Sequence, residues 1–281
     1  MDEIDIASLI GTSCQDEAAL VPGPADRLAA ALDFADPPFH AGARLPHAWH
    51  WLYFHSSPKA SALGSDGRGA AGELVPAFEG LNRMWAGGAF AFAHALKIGE
   101  RVRRHSTIIS IEEKIGRSGR LVVATIEHTL SDSLGHAITE RHDLVFRERK
   151  PQSAAGPGER ATATPGWQRT LTPEEVLLFR FSALTYNSHR IHYDWPYTTK
   201  VEGYPGLLVH GSLTAMLLLD SIRRNVPGDT LKGFQYRAVR PLFCGNPMTV
   251  CGALSPGGAT VDVWAQDHDG YVAMRGTGDL G

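Results

Sequence analysis

The chain has 281 residues, with 27 Lys and Arg against 30 Asp and Glu and a formal net charge of −3. That length allows two ordinary domains or one large one, and the near balance of charge gives no reason to expect nucleic acid or a membrane surface as partner. Cys14, Cys244 and Cys251 are scattered without paired spacing, which excludes a disulfide scaffold or a cysteine zinc site. Together with the acidic start Met1-Asp2-Glu3-Ile4-Asp5 and the lack of a bilayer-length apolar run, this predicts a soluble cytoplasmic protein.

In chain order, residues 24–33 predict a helix with Pro24 near its start, Leu28 and Leu32 on one face, and Pro37-Pro38 beyond its end. Leu45 to Phe54, with Trp49, Trp51, Leu52, Tyr53 and Phe54, is aromatic enough to be core. Ser56 to Gly72 is rich in Gly, Ser and Ala and predicts an exposed connection. Strands follow: Ile108–Ile111, Leu121–His128 and Leu144–Phe146 are β-favouring runs, with turns at Gly116–Arg120 and Ser131–Gly135. Residues 151–166 hold almost nothing large and apolar, and predict a linker between a domain at 1–150 and another at 167–281.

Beyond the linker, Thr172-Pro173-Glu174-Glu175 has the pattern of a capping box, with Thr172 as cap and Glu175 returning a bond to its amide. Leu207 to Ile222 predicts a long buried helix, and strands are expected at Phe234–Val239, Met248–Leu254, Thr260–Gln266 and Tyr271–Arg275. The halves also match each other. Ala95–Gly99 matches Pro241–Gly245 at an offset of 146, and Asp132–Ile138 matches Asp267–Ala273 at an offset of 135, as if a hairpin were shorter in the second half.

The chemistry is concentrated in Phe181–Asp194 and Gly203–Gly211, where Asn187, His189, Arg190, His192 and Asp194 are followed by Gly206, Leu207, His210 and Gly211. Histidine can both take and return a proton near neutral pH, so the cluster suits general acid and base work. The alternative is a satisfied hydrogen-bond network. The His189/His192 spacing could offer two metal ligands, but no His-Glu-x-x-His pattern or cysteine pair accompanies it, and no metal is assigned.

Phe179–Asp194, with Gly206 and His210-Gly211 after it, resembles the motif of the hotdog-fold (R)-specific enoyl-CoA hydratases, or MaoC-like dehydratases. It is similar above all to the branch containing mesaconyl-C4-CoA hydratase, itaconyl-CoA hydratase and the mitochondrial 3-hydroxyacyl-thioester dehydratase. Met84–Gly88, Leu96–Glu100 and Ser106–Lys114 carry the resemblance through the first half. It implies an α+β double hotdog, each half a long central helix wrapped by an antiparallel sheet, with the sheets continuous and the catalytic motif in the second half only. It further implies an acyl-CoA thioester substrate in a tunnel between the halves, CoA being part of the substrate and no cofactor being needed. A homodimer is a further expectation.

The chain departs from the general motif in having Asn187 where that motif has aspartate, and His189 and Arg190 where it has asparagine and proline. An amide cannot act as a base, so His192 is expected to take the water proton while Asn187 holds the water by its carbonyl oxygen and amide. Asp194 is expected to orient an imidazole or contribute charge. Gly206, Leu207, His210 and Gly211 are expected around the thioester, where backbone N–H groups opening a helix can polarise its carbonyl. Arg190 is expected to bind a second carboxylate if the acyl chain carries one, as in mesaconyl- or itaconyl-CoA. A dehydratase of monocarboxylic chains, a thioesterase and a non-catalytic acyl-thioester binder are the alternatives.

Overall fold

The computed structural model describes residues 5–35, 38–69, 74–78, 80–116, 119–148, 158–228 and 231–281. The first half contains β1 (Ser13–Ala19), α1 (Pro22–Ala31), β2 (Leu81–Phe92), β3 (Arg101–Gly116), β4 (Gly119–Asp132) and β5 (Gly135–Glu148). The second contains β6 (Trp167–Leu171), α2 (Glu175–Leu184), α3 (Trp195–Lys200), α4 (Gly211–Asn225), β7 (Leu231–Ala238), β8 (Met248–Leu254), β9 (Thr260–Gln266) and β10 (Val272–Leu280).

Among the described residues the ten strands form one sheet in the order β1-β3-β4-β5-β2-β7-β10-β9-β8-β6. Read outward from the middle, the two halves have the same order, so the internal repeat seen in the sequence is a repeat of architecture. Gly99 and Gly245, and likewise Gly135 and Gly270, occupy matching turns at φ 93°, 79°, 106° and 82°. Only glycine adopts this backbone cheaply, so these turns kept their identity in both copies. The shift in offset comes from the β3–β4 hairpin, with strands of 16 and 14 residues where β8 and β9 have 7 each.

Strand alternation sets the inner face. On β4 Val122, Ala124, Ile126, His128 and Leu130 are buried at every second position, as a half-buried strand requires. In α4, Leu213 through Ile222 are all buried, so this helix is apolar on nearly every side and forms the centre of the second half, against β8, β9 and β10. The fold is the α+β double hotdog.

The first half is built differently at its centre. In both halves an isolated bridge, Arg44 with Lys97 and Leu208 with Phe243, leads the chain under the sheet. After Leu208 the second half enters α4. After Arg44 the first half makes only a short 3-10 turn, Trp49–Leu52, whose four residues are buried. Trp49 packs on Phe34 and Phe39, and Trp51 on Trp85 and Phe90. Among the described residues the α-helix of this half is α1, ten residues long, so the long helix expected in each half is present only in the second. The physical reason is composition: from Ser56 onward the chain has no apolar periodicity with which to continue a buried helix.

Two smaller expectations are also corrected. The N-cap of α2 is Glu174 with no side-chain bond to it, so the capping box on Thr172 does not form. Residues 151–157 of the expected linker lie outside the described residues, while Arg160 bridges Tyr271 and Glu159 O accepts the Val272 N–H at 2.9 Å, which lays this end of the segment along β10.

The halves are joined by β2 and β7, paired from Gly87–Arg237 to Ala91–Gly233. A Cβ on Gly87 would lie 2.4 Å from the Tyr236 carbonyl oxygen, and one on Gly88 2.3 Å from that of Arg141. Neither backbone atom can move without opening a ladder. Replacing Gly87 by alanine should therefore destabilise the protein by about 1–3 kcal/mol, the usual cost of overpacking, read as a lowered urea midpoint. An unchanged midpoint would mean that the junction is loose.

Candidate active site

α2 ends in a Schellman-type turn with Tyr186 at φ 51°, where Asn187 N–H donates to Ser182 O (2.8 Å) and Tyr186 N–H to Ala183 O (3.4 Å). A tyrosine in this left-handed position is strained relative to glycine. The chain then folds on itself: Asn187 Oδ1 accepts the His189 N–H at 3.0 Å, and Arg190–His192 form a 3-10 turn. Leu208 clasps that turn at two points, its N–H donating to Ile191 O and its carbonyl accepting from His192 Nδ1, both at 2.9 Å.

This clasp fixes the tautomer of His192. A carbonyl can only accept, so Nδ1 carries the proton and Nε2 of the neutral ring carries the lone pair. Burial pushes the His192 pKa down to about 4, opposed by the bond to Leu208. His192 stacks on His210 at 3.6 Å between centroids and meets His189 edge-on at 5.6 Å. Burial likewise holds His189 and His210 well below the ordinary histidine range, so the three rings are uncharged at neutral pH. His210 Nε2 pairs with Ser182 Oγ at 2.9 Å, and its Nδ1 is buried with no protein partner.

A cavity of about 1670 Å³ opens beside these rings. Its wall includes Ser182, Asn187, His189, His192, His210, Gly211 and Ser212 of the second half and Trp51, Arg68, Arg83, Trp85, His128 and His142 of the first. It therefore lies between the halves, at the N-terminus of α4. A Cβ on Gly211 would meet nothing within 4 Å, so that glycine keeps the helix end open rather than relieving a clash.

Of the expected site residues, Asn187, His189, His192, His210 and Gly211 line this cavity. Asp194, Arg190, Gly206 and Leu207 do not. Asp194 caps α3 by accepting the Tyr197 N–H on Oδ1 at 3.0 Å, and its Oδ2 receives Arg190 Nε and Nη2 at 2.9 and 2.7 Å. Those bonds hold its carboxyl below the usual range. Arg190 also lies over the Tyr197 ring at 4.2 Å and donates to Ser65 O. The pair is thus consumed in holding the loop, which corrects the orienting role expected for Asp194 and the substrate contact expected for Arg190. Leu207 is buried in the core, and Gly206 lies against Trp195. The expectation for Asn187 is narrowed: its carbonyl oxygen is engaged by backbone, leaving the amide nitrogen to act as donor.

Two first-half features were not recognised in the sequence. One is the Gly64–Gly69 loop that brings Arg68 to the cavity. The other is a buried carboxylate, Glu140, 1% exposed, bonded by His50 Nε2 at 2.7 Å, by Trp51 Nε1 at 2.6 Å and by His142 Nε2. Burial would raise its pKa, but His142 and His50 outweigh this and hold it well below normal. His128, opposite Glu140 on β4, donates or accepts through Nδ1 with Ser106 Oγ at 2.7 Å, and burial lowers its pKa to about 3. Charged residues at the inward positions of β4 and β5 were the available signal. Among the described residues no group of three or more His, Cys, Asp or Glu is placed to hold a metal ion.

The buried histidines have a measurable consequence. His192 and His128 are depressed to about 4 and about 3 from the ordinary 6.5 of histidine, so below pH 6.5 the unfolded chain binds protons that the native state refuses. Stability should fall as pH drops from 6.5 toward 4, by up to about 1.4 kcal/mol per pH unit for each histidine. Glu140 adds a loss of the same sign below about 4.5. Urea midpoints at pH 7 and pH 5 check this, with His128→Gln expected to flatten the slope. A midpoint that does not change between these pH values would refute the neutral, buried state of the rings.

The family model described as hydroxyacyl-thioester dehydratase type 2 matches residues 48–244. Mesaconyl-C(4)-CoA hydratase of Chloroflexus aurantiacus is 38% identical over 100% of both chains. The mitochondrial hydroxyacyl-thioester dehydratase type 2 of Schizosaccharomyces pombe is 27% identical over 80% of this chain and 83% of its own. The MaoC-like dehydratase of Phytophthora capsici superposes with a TM-score of 0.73 at 13% identity over 99% of this chain and 98% of that one, a likeness of fold. Two relatives are mitochondrial by name, which overturns the expectation of a cytoplasmic protein: scattered cysteines and an acidic start do not assign the compartment. Among the described residues no helix is long and apolar enough to cross a membrane. The chain belongs to the hydroxyacyl-thioester dehydratase type 2 family, hotdog-fold enzymes of the hydratase and dehydratase class acting on thioesters.

Proposed function

We propose that this hydro-lyase reversibly adds water across the double bond of a short dicarboxylic enoyl-CoA, mesaconyl-C4-CoA being the substrate named in the Chloroflexus relative. The observation that carries the mechanism is the neutral His192 ring lining the cavity, its Nδ1 proton bound to Leu208 O, which leaves the lone pair on Nε2. In this reading the thioester carbonyl oxygen accepts N–H groups from the first turn of α4, at Gly211 and Ser212. The helix end stabilises the negative charge that develops there when the β-carbon is attacked.

The water oxygen bonds to the β-carbon while one of its protons passes to His192 Nε2, and that proton is then delivered to the α-carbon. The π-bond electrons become the new C–H bond, and the product is a 3-hydroxyacyl thioester with its CoA still attached. The Asn187 amide nitrogen donates to the water oxygen and aims its lone pair. The low pKa of His192 has a cost and a benefit, because the ring is a weak base but is fully unprotonated over the neutral range.

With mesaconyl-C4-CoA the purified protein should consume enoyl-thioester absorbance without releasing free thiol; thiol release at the same rate would make it a thioesterase. His192→Ala should lower kcat by roughly 10²–10⁴-fold, the range expected for loss of a general base. The acid limb of kcat/KM should lie nearer pH 4 than 6.5, following the depressed pKa. Full activity in the alanine variant, or half-maximal activity at 6.5, would remove His192 from this role.

A further inference from the structure

The Gly64–Gly69 loop is bonded to the hydratase loop at several points. Arg190 N–H donates to Asp66 O and Arg190 Nη1 to Ser65 O, both at 2.9 Å, and Ser188 Oγ donates to Gly67 O at 2.5 Å. Gly67 has φ +84°, and a Cβ there would lie 2.2 Å from Ser188 O, so only glycine allows this approach. Leu63 and Gly69 bridge the ends of the loop. The loop is therefore held in register with Asn187–His192.

What it delivers is Arg68. Asp66 Oδ2 receives Arg68 Nε at 2.8 Å and Nη2 at 2.7 Å, and the Arg83 carbonyl receives Nη1 at 3.3 Å. Those bonds use three of the five N–H groups of a guanidinium and leave one on each terminal nitrogen, the pair a carboxylate bridges at two points. Arg68 lines the cavity with His189 and His192, and its charge contributes to the lowered pKa of both. In mesaconyl-C4-CoA the free carboxylate sits on the β-carbon itself, so the group that reads it has to stand beside the base that delivers water. Arg68 lines the same cavity as His192 and lies near enough for its charge to act on that ring, whereas Arg190 faces Asp194, Tyr197 and Ser65.

We infer that Arg68 is the specificity-determining residue that binds the second carboxylate of the acyl chain, with Asp66 as its positioning residue. The inference rests on the dicarboxylic reading of the substrate. Arg190 then acts one step removed, by anchoring the loop that carries Arg68.

Calorimetric titration with succinyl-CoA and butyryl-CoA, saturated four-carbon thioesters that differ in the terminal carboxylate, tests this without turnover. The wild-type protein should prefer succinyl-CoA by roughly 10- to 100-fold, the worth of a charge-assisted hydrogen bond. Arg68→Gln should abolish the preference and Arg68→Lys should keep part of it, with unchanged thermal midpoints as the folding control. The ratio of kcat/KM for mesaconyl-C4-CoA over crotonyl-CoA should fall by a similar factor. Equal weakening of both thioesters would assign Arg68 to the CoA phosphates or to the fold, and a preference surviving in Arg68→Gln would assign the carboxylate elsewhere; either overturns the inference. A wild-type protein that prefers succinyl-CoA but hydrates nothing would sink the proposed reaction and leave the carboxylate site standing.

Discussion

The apolar face of a curved antiparallel sheet has to be covered, and the two halves of this chain cover theirs by different means. In the second, α4 fills the concavity with ten consecutive buried residues. In the first, one short turn carrying Trp49 and Trp51 does the equivalent work with large rings in place of a long rod. Trp51 on that turn is itself part of the cavity wall, opposite the N-terminal residues Gly211 and Ser212 of α4. The glycines at the β2–β7 seam keep the sheets close enough for both halves to contribute to the same wall.

The cavity wall is electrically quiet where the histidines are and charged around them. His192 stacks on His210 and meets His189 edge-on, and all three are desolvated, so protonating any one would place a charge among groups that cannot solvate it. The same burial keeps the His192 ring neutral, with a lone pair on one nitrogen. Glu140 shows the complementary solution: a carboxylate out of water survives as an anion because three donors close around it. Loop geometry is maintained at the periphery by ion pairs such as Arg190–Asp194, half-exposed and away from the reacting space.

Much of this was legible from residue order. The strands after Leu231 and the long helix follow from alternation and unbroken apolar runs, although the helix expected from Leu207 begins at Gly211 because Leu208 first bridges Phe243, and the repeat was visible because glycine at a left-handed turn tolerates little replacement. The hydratase-like motif was found because its residues are contiguous. Contiguity also misled. Arg190 and Asp194 lie next to His192 in sequence, yet a 3-10 turn points them to the opposite side, where they satisfy each other. Gly64-Ser65-Asp66-Gly67-Arg68 looked like an exposed connection because it has nothing to bury, but its backbone carbonyls and one permissive glycine are what dock it.

Sequence alone determined the strands at Ile108–Ile111, Leu121–His128 and beyond Leu231, the long helix of the second half, the internal repeat and the position of the histidine cluster, since these depend on local periodicity, turn chemistry and adjacent residues; β1, β2 and β6 carry no such pattern. Tertiary structure decided which polar side chains line the cavity, which half lacks a long helix among the described residues, and that Arg68 rather than Arg190 lines the cavity with His192. Those outcomes depend on contacts between residues more than a hundred positions apart, and no local pattern encodes the direction in which a side chain points once the chain has closed on itself.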